Sequence, residues 1–383
     1  MSSLFYPPVS QVEVIKENKQ LCQREVKWFI NTIIKPELPS LRETLLQCHD
    51  LLCSDEKITL PLSSYQSEMI KGTITRQNFK VINLNLNLKN IKSLNGGKKF
   101  NIRLNPVDSI VIKQLVDCDE FILKSIKVLD CLVLQDVGEN PFSDIMDSLH
   151  NLLISISASL NYLKVPNLQY LFPRYRIIAS KFQPPMPESI ALDFFINDDD
   201  LFMEFHELHQ IRTWPWSIIN QKTGRSFVDE LKSIISKDRR RSINTIVDEE
   251  KDNIISSLVS ASSPSSGSSS ASSQSLSAFS SMSSSGGAAN SSSISPSYSE
   301  PSFTSALSSF FKTSQQKRQT NLKFLEHCVT YELNNHDKCV VMVKKNFEIN
   351  AGDPLLLSIS SKLGSVENNI MKFYKNLVIL MEQ

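Results

Sequence analysis

The last part of the chain carries an apolar stripe at Leu356, Ile359, Leu363, Val366, Ile370, Phe373, Leu377 and Leu380. The steps alternate between three and four residues, the spacing that keeps one line of a helix facing a partner. A second stripe runs through Phe142, Met146, Leu149, Leu153, Ile156, Leu160 and Leu163. Helices of this kind must bury their seams, within the chain or against a second molecule. No catalytic motif stands beside either seam, so packing and the holding of partners are the functions they point to.

The width of the last stripe bears on where it is buried. Leu357, Met371 and Val378 broaden it beyond a two-stranded seam. Gly364 weakens the helix in isolation by about 1 kcal/mol relative to Ala. Helical stretches near 11–52, 106–133 and 142–163 offer partners at high local concentration. An internal bundle is therefore expected over a homotypic zipper, and the chain is expected to be monomeric by itself.

The N-terminal stretch from Gln11 to Leu52 reads as helix. Val26, Phe29, Ile30 and Ile33 form one face, and Leu38, Leu41, Leu45, Cys48 and Leu52 form another. Pro36 and Pro39 lie where the two runs change phase, which predicts a kink or short break. The period then changes to two. Ile58, Leu60 and Leu62 alternate with other residues, Met69–Thr75 offers another short strand, and Ile82, Leu84, Leu86 and Leu88 alternate with asparagines. Gly96-Gly97 supplies a turn before Phe100, Ile102 and Leu104, giving antiparallel sheet with one wet face.

Asn105-Pro106-Val107-Asp108 has the form of a helix start, with a capping Asn, Pro at the first helical position and an acid at the positive end. That helix is expected through Leu129, and Gly138-Glu139-Asn140-Pro141 opens the helix of the second stripe, which ends before Pro166. Pro184, Pro185 and Pro187 then form an extended segment. Ile190–Ile196 and Leu201–Phe205 read as a hairpin about Asn197–Asp200, Trp214-Pro215-Trp216 as an aromatic loop, and Phe227–Ile235 as a short helix. Leu322–Glu332 and Cys339–Phe347 read as strands about the turn Asn334–Asp337, and Asp353-Pro354 caps the final helix.

The order predicts an α+β protein. A discontinuous antiparallel helical bundle domain with zipper-like packing is expected from 10–54, 105–165 and 352–382. A discontinuous antiparallel β-rich domain is expected from 56–104, 168–236 and 320–350. A Ser-rich insert over 243–318, of lowest complexity from Ser256 to Ser309, cannot bury enough apolar surface to offset chain entropy and is expected to be disordered.

Composition narrows the function classes. The 41 Lys and Arg nearly balance the 40 Asp and Glu, so no strong field marks nucleic acid as a partner. Met1–Val9 lacks the basic start and apolar core of a signal peptide. Runs such as Cys339–Val343 and Leu377–Met381 are too short to span a bilayer, so no integral membrane segment is expected. The seven cysteines, at 22, 48, 53, 118, 131, 328 and 339, form no CxxC pair. They read as buried free thiols of a soluble cytosolic protein.

The candidate chemistry is sparse. His206-Glu207-Leu208-His209 spaces its histidines three apart in a strand, where a helical zinc pair needs i and i+4. Asp198–Asp200 could offer carboxylates to Mg²⁺ or Ca²⁺, but Asp also suits the tight turn between two strands. Gly96-Gly97-Lys98-Lys99 lacks the phosphate-loop pattern. No catalytic residue, no cofactor and no metal are expected. Arg239-Arg240-Arg241-Ser242 fits the preference of basophilic kinases, which makes Ser242 a candidate phosphorylation site, with a solvated charge run as the competing reading.

Several segments, taken in order, carry a family resemblance. Gln23-Arg24-Glu25-Val26-Lys27-Trp28-Phe29 looks like an acidic-aromatic opening helix with its Trp. Ile70-Lys71-Gly72-Thr73-Ile74 is similar to a Val-Lys-Gly strand, and Asn87-Leu88-Lys89 follows as in the next strand. Phe182-Gln183-Pro184-Pro185-Met186-Pro187 is like Phe-x-Pro-x-Leu-Pro, ahead of the hairpin Ile190–Phe205, Leu208-His209, the last strand pair and the heptad helix. Together these resemble the Rogdi leucine-zipper family, which includes the small subunit of the fungal RAVE complex. The Ser-rich insert and the prolines at 36 and 39 depart from animal members. The insert suggests a fungal one, and the prolines put a straight first helix in question.

The resemblance implies a non-catalytic scaffold that promotes assembly of the vacuolar proton-translocating ATPase from its peripheral and membrane sectors, and hence vacuolar acidification. It implies as partners a large WD-repeat RAVE subunit, the peripheral sector of the pump and, as a further candidate, a Skp-type adaptor. It places the protein in the cytoplasm, recruited peripherally to vacuolar and endosomal membranes. Two other classes stay open: a coiled-coil tether or adaptor in vesicle traffic, and an enzyme using Asp198–Asp200 with the nearby histidines.

Overall fold

The computed structural model describes residues 10–63, 70–89, 99–134, 141–220, 223–237, 245–250, 252, 256, 324–333 and 337–382. The chain divides into two compact units, Met1–Gln210 with Tyr331–Gln383, and Ile211–Thr330. Helices and antiparallel sheets make the first unit an α+β structure. The expected turn at Gly96-Gly97, the loop at 138–140, Ser242 and the tract from Ser256 to Ser309 lie outside the described residues, apart from Ser256 itself.

Helix α1 spans Gln11–Phe29 and is opened by a capping box: the Ser10 hydroxyl accepts from the Glu13 amide at 3.2 Å, and the Ser10 amide donates to Glu13 Oε2 at 3.1 Å. A π-helical turn, Ile30–Ile34, leads directly into α2, Lys35–Cys53. The chain stays helical through both prolines: Pro36 stands in the first turn of α2, where proline is tolerated, and Pro39 lies within α2. The π turn also corrects the expected face, since Ile34 is buried and Ile33 is 37% exposed. Val26, Ile30, Ile34 and Leu38 follow at three steps of four, which would rotate a stripe by about 120° on a straight α-helix. One extra residue taken into a π turn removes about 100° of that drift, so the stripe stays on the core through Leu52.

Six short strands form the first sheet: β1 Lys57–Ser63, β2 Ile70–Gln77, β3 Lys80–Leu88, β4 Phe100–Leu104, β5 Ile110–Val111 and β6 Phe182–Gln183. Their order is β1-β2-β3-β4-β6, with β5 pairing β3. Opposite Thr75 and Arg76 the register shifts, leaving Ile82 unpaired, so β3 buries Val81 and then Leu84, Leu86 and Leu88. Gly72 is a packing requirement, because a Cβ there would lie 2.1 Å from the Asn85 carbonyl oxygen of the neighbouring strand. Gly72→Ala is expected to destabilise the protein by about 2 kcal/mol, the range of overpacked interiors. Chemical denaturation checks this, and an unchanged midpoint would mean that the strands separate freely at that point.

The expected helix at Asn105 does not form. Asn105 donates to Asp108 Oδ2 and to the Ser180 carbonyl, Pro106 and Val107 make a turn, and Ile110–Val111 pair with Lys80 and Val81. Helix α3 starts at Lys113 and ends at Leu134, and α4 spans Pro141–Lys164. Tertiary pairing has overridden a good local cap here.

The second sheet holds β7 Ile190–Asn197, β8 Asp200–Gln210, β9 Cys328–Glu332 and β10 Lys338–Gly352, in the order β7-β8-β10-β9. Of the strand expected over Leu322–Glu332, Leu322 lies outside the described residues and β9 covers Cys328–Glu332. Residues 324–327 are helical, consistent with buried Phe324, Leu325 and Cys328 recurring at helical spacing. Asp198 and Asp199 are the two loop residues of the β7–β8 hairpin, at φ 47° and 68°, as the turn reading requires. Their amides donate to the carbonyls of Lys164 and Leu163, satisfying the open end of α4. Buried Gln114 fixes the same junction: its amide nitrogen reaches the carbonyls of Tyr162, Val165 and Ile196, and its oxygen accepts from the Ile196 amide.

The final helix, α6, spans Pro354–Glu382, after α5 at Phe227–Lys237 in the second unit. Asp353 caps α6, its Oδ1 accepting from the amides of Leu355 and Leu356. Helix α6 packs on α4, α2 and α1, and α3 packs between α2 and α4. One continuous core joins these helices to both sheets.

In the second unit, Trp216 is buried with its ring edge-on to Phe227 and Phe324. Ser226 caps α5 through the Asp229 amide, and the Thr330 hydroxyl donates to the Asp229 carboxylate and is hydrogen-bonded to the Ser226 hydroxyl. This accounts for the aromatic loop: its second Trp is a core residue of that unit.

Candidate functional site

The seam residues of α6 are placed as follows. Leu356, Ile359, Leu363, Val366, Ile370 and Leu377 are at most 1% exposed, and Phe373 and Leu380 are half-buried. Leu357 does not widen the apolar face: it is 62% exposed, one step off the buried line. In α4, Leu149, Leu153, Ile156, Leu160 and Leu163 are buried and Met146 is half-buried, while the side chain of Phe142 lies outside the described residues. Leu152 and Ile145 are also buried, because α4 has neighbours on two sides, α3 and α6.

The start of α6 is anchored by a contact that the sequence reading missed. Arg76 of β2 and Asp353 form an ion pair of 2.6 Å whose side chains are 1% and 0% exposed. Arg76 Nη1 also donates to the Asn78 carbonyl, while Nη2 is buried with no hydrogen-bond partner among the described residues. Asp353 therefore serves two groups, the helix amides through one oxygen and the guanidinium through the other.

The histidine motif is not a metal pair. His206 and His209 are an odd number of residues apart in β8, so they project from opposite faces of the sheet. His206 is buried, stacked on Phe172 at 4.6 Å, with its ring nitrogens against Asp193 and Asn346 at 3.1 Å each. Burial by itself would lower its pKa; the Asp193 hydrogen bond and the Glu204 charge outweigh that and raise it. All seven cysteines are free, four of them buried. Burial pushes the Cys48 thiol to about 11 and the Cys328 thiol to about 12, which makes these two poor nucleophiles.

The outer face of α1 leaves several apolar side chains exposed. Only Val26 of this helix is buried. Val14, Leu21 and Trp28 recur every seven residues and are 42%, 55% and 59% exposed, so they form a line along the helix. Beside it runs a groove of about 460 Å³, lined by Ile15, Asn18, Lys19, Cys22, Gln23 and Val26 of α1 and by Met381 of α6. Cys22 donates to the Leu380 carbonyl at its edge. Apolar side chains gathered on an exposed helix mark an interaction surface. The heptad spacing of Val14, Leu21 and Trp28 is the signal by which the sequence could have shown it. Among the described residues, no helix is long and apolar enough to cross a membrane.

A seam-bearing helical layer thus stands on antiparallel sheets, with an apolar line left on its first helix. The chain matches the family described as Rogdi leucine zipper containing protein over residues 25–378, and it belongs to that family. It is 24% identical over 375 residues to Regulator of V-ATPase in vacuolar membrane protein 2 of Saccharomyces cerevisiae, across 93% of this chain and 91% of the yeast protein.

Proposed function

We propose that this protein is a non-catalytic scaffold subunit of a RAVE-like complex that promotes assembly and reassembly of the vacuolar proton-translocating ATPase from its peripheral and membrane sectors. The similarity to a yeast regulator of V-ATPase along nearly the whole of both chains carries the reading. In this reading the helices form an antiparallel bundle whose zipper-like seams are used for folding. The partners, a large WD-repeat subunit and the peripheral sector of the pump, meet outer surfaces, the α1 line among them. The protein acts from the cytoplasm and is recruited to vacuolar and endosomal membranes through those partners. A scaffold that must release an assembled pump needs interfaces of moderate size that can be switched.

Affinity purification of the tagged chain from cells with and without glucose tests this. Pump subunits of the peripheral sector and a WD-repeat protein are expected in the eluate. Leu21→Glu with Trp28→Glu is expected to weaken that capture at least about 30-fold, the effect of losing a central aromatic anchor. The melting temperature should not change, because both side chains lie at the surface. Recovery of vesicle-traffic proteins and no pump subunit in either condition would replace this reading with the tether.

A further inference from the structure

We propose that His49, Cys53 and Asp119 form a binding site for one divalent transition-metal ion of the zinc class. Among the described residues, these three bring a ring nitrogen, a sulfur and a carboxylate oxygen within 4.8 Å of one another. His49 and Cys53 are four apart on α2, so both project from the same face of one helix. Asp119 faces them from α3, the neighbouring helix. Nitrogen, sulfur and carboxylate oxygen are the donor set of zinc, and a site on two packed helices holds them with little freedom.

The distances come near those of a tetrahedral ion. With bonds of about 2.0–2.3 Å, donors on a tetrahedron lie about 3.6 Å apart where one is sulfur and about 3.4 Å apart otherwise. Cys53 Sγ stands 3.7 Å from His49 Nδ1 and 3.9 Å from Asp119 Oδ2. His49 Nδ1 and Asp119 Oδ1 are 2.6 Å apart, joined by a hydrogen bond. Widening that gap, with the carboxylate turned so that one oxygen faces both His49 and Cys53, admits the ion. The imidazole then binds as its Nε2–H tautomer, the Nδ1 proton having moved to Nε2, and the thiol proton passes to solvent. The His49 and Asp119 side chains are 26% and 11% exposed, which leaves the group within reach of water for a fourth ligand.

A nucleophilic role for the same residues fits less well. A Cys-His-Asp relay places sulfur and carboxylate at opposite ring nitrogens, but Sγ lies at 3.7 Å from Nδ1 and 3.9 Å from Nε2. Burial, together with the charges of Asp119 and Asp50, pushes the Cys53 thiol to about 11, so it is not a free thiolate.

Titrating the full chain with Co²⁺ reads the site directly. One equivalent is expected to give the intense visible bands of a tetrahedral ion and a thiolate-to-cobalt band in the near ultraviolet, all displaced by Zn²⁺. Cys53→Ser should abolish the thiolate band. His49→Ala and Asp119→Asn should each weaken Zn²⁺ binding by more than about 100-fold, beyond the effect of losing an outer partner. Zn²⁺ at a hundredfold excess over its dissociation constant should raise the melting midpoint by about 5 °C. Should Asp119→Asn fail to fold, Cys53→Ser, at a half-buried position, keeps the test decisive. A thiolate band that survives in Cys53→Ser, or octahedral cobalt spectra in the native chain, would overturn the proposal.

Discussion

A chain carrying Leu363→Asp and Ile370→Asp together is expected to show no cooperative thermal transition and to lose the near-ultraviolet circular dichroism of a packed core. Both side chains are 0% exposed on the face of α6 that meets α2 and α4. A charge buried without a partner costs several kcal/mol, and two of them reach the 5–15 kcal/mol that holds a typical domain together. Leu357→Asp is the internal control. It lies on the same helix but is 62% exposed, and it should change stability by no more than about 0.5 kcal/mol. If the double variant melts like the native chain, the seam is open to solvent and its partner is another molecule.

The second large effect is expected at Asp353. Asp353→Ala strands the Arg76 guanidinium at 1% exposure, a loss of about 3–5 kcal/mol for breaking a buried pair from one side. It also removes the cap on Leu355 and Leu356, adding about 1 kcal/mol. The melting midpoint should fall by about 10 °C. Arg76→Met with Asp353→Ser removes both charges and keeps a capping oxygen, so most of the loss should return. A double variant as unstable as Asp353→Ala would show that the ion pair itself, and not the stranded charge, carries the stability.

The contrast between these residues explains what the sequence could show. The α6 seam, the Asp353-Pro354 cap and the hairpin turn at Asp198 and Asp199 are legible because each is decided within one or two helical turns or a single two-residue loop. Asn105-Pro106 misled because its local signal was sound, but Asn105 and Asp108 are held by Ser180 and by each other, and β5 pairs with β3. Ile33 and Ile34 exchanged places because a π turn shifts the phase by one residue, and a regular period cannot register that. Leu357 counted as apolar by type, whereas its direction is set by the helix axis. Arg76 with Asp353, and His49 with Asp119, are 277 and 70 residues apart, so nothing local links them.

The Arg76–Asp353 contact also orders events in time. A chain emerging from the ribosome completes β2 and β3 long before Asp353 has been made, and until then the arginine has no counter-charge to be buried against. The apolar faces of α2 and α4 wait likewise for α6. The first sheet and the early helices must therefore stay open, or in the care of chaperones, until α6 has been made, and the closing step belongs to that helix. A premature stop codon anywhere ahead of residue 353 would then yield an unfinished fold destined for degradation, instead of a shorter working protein.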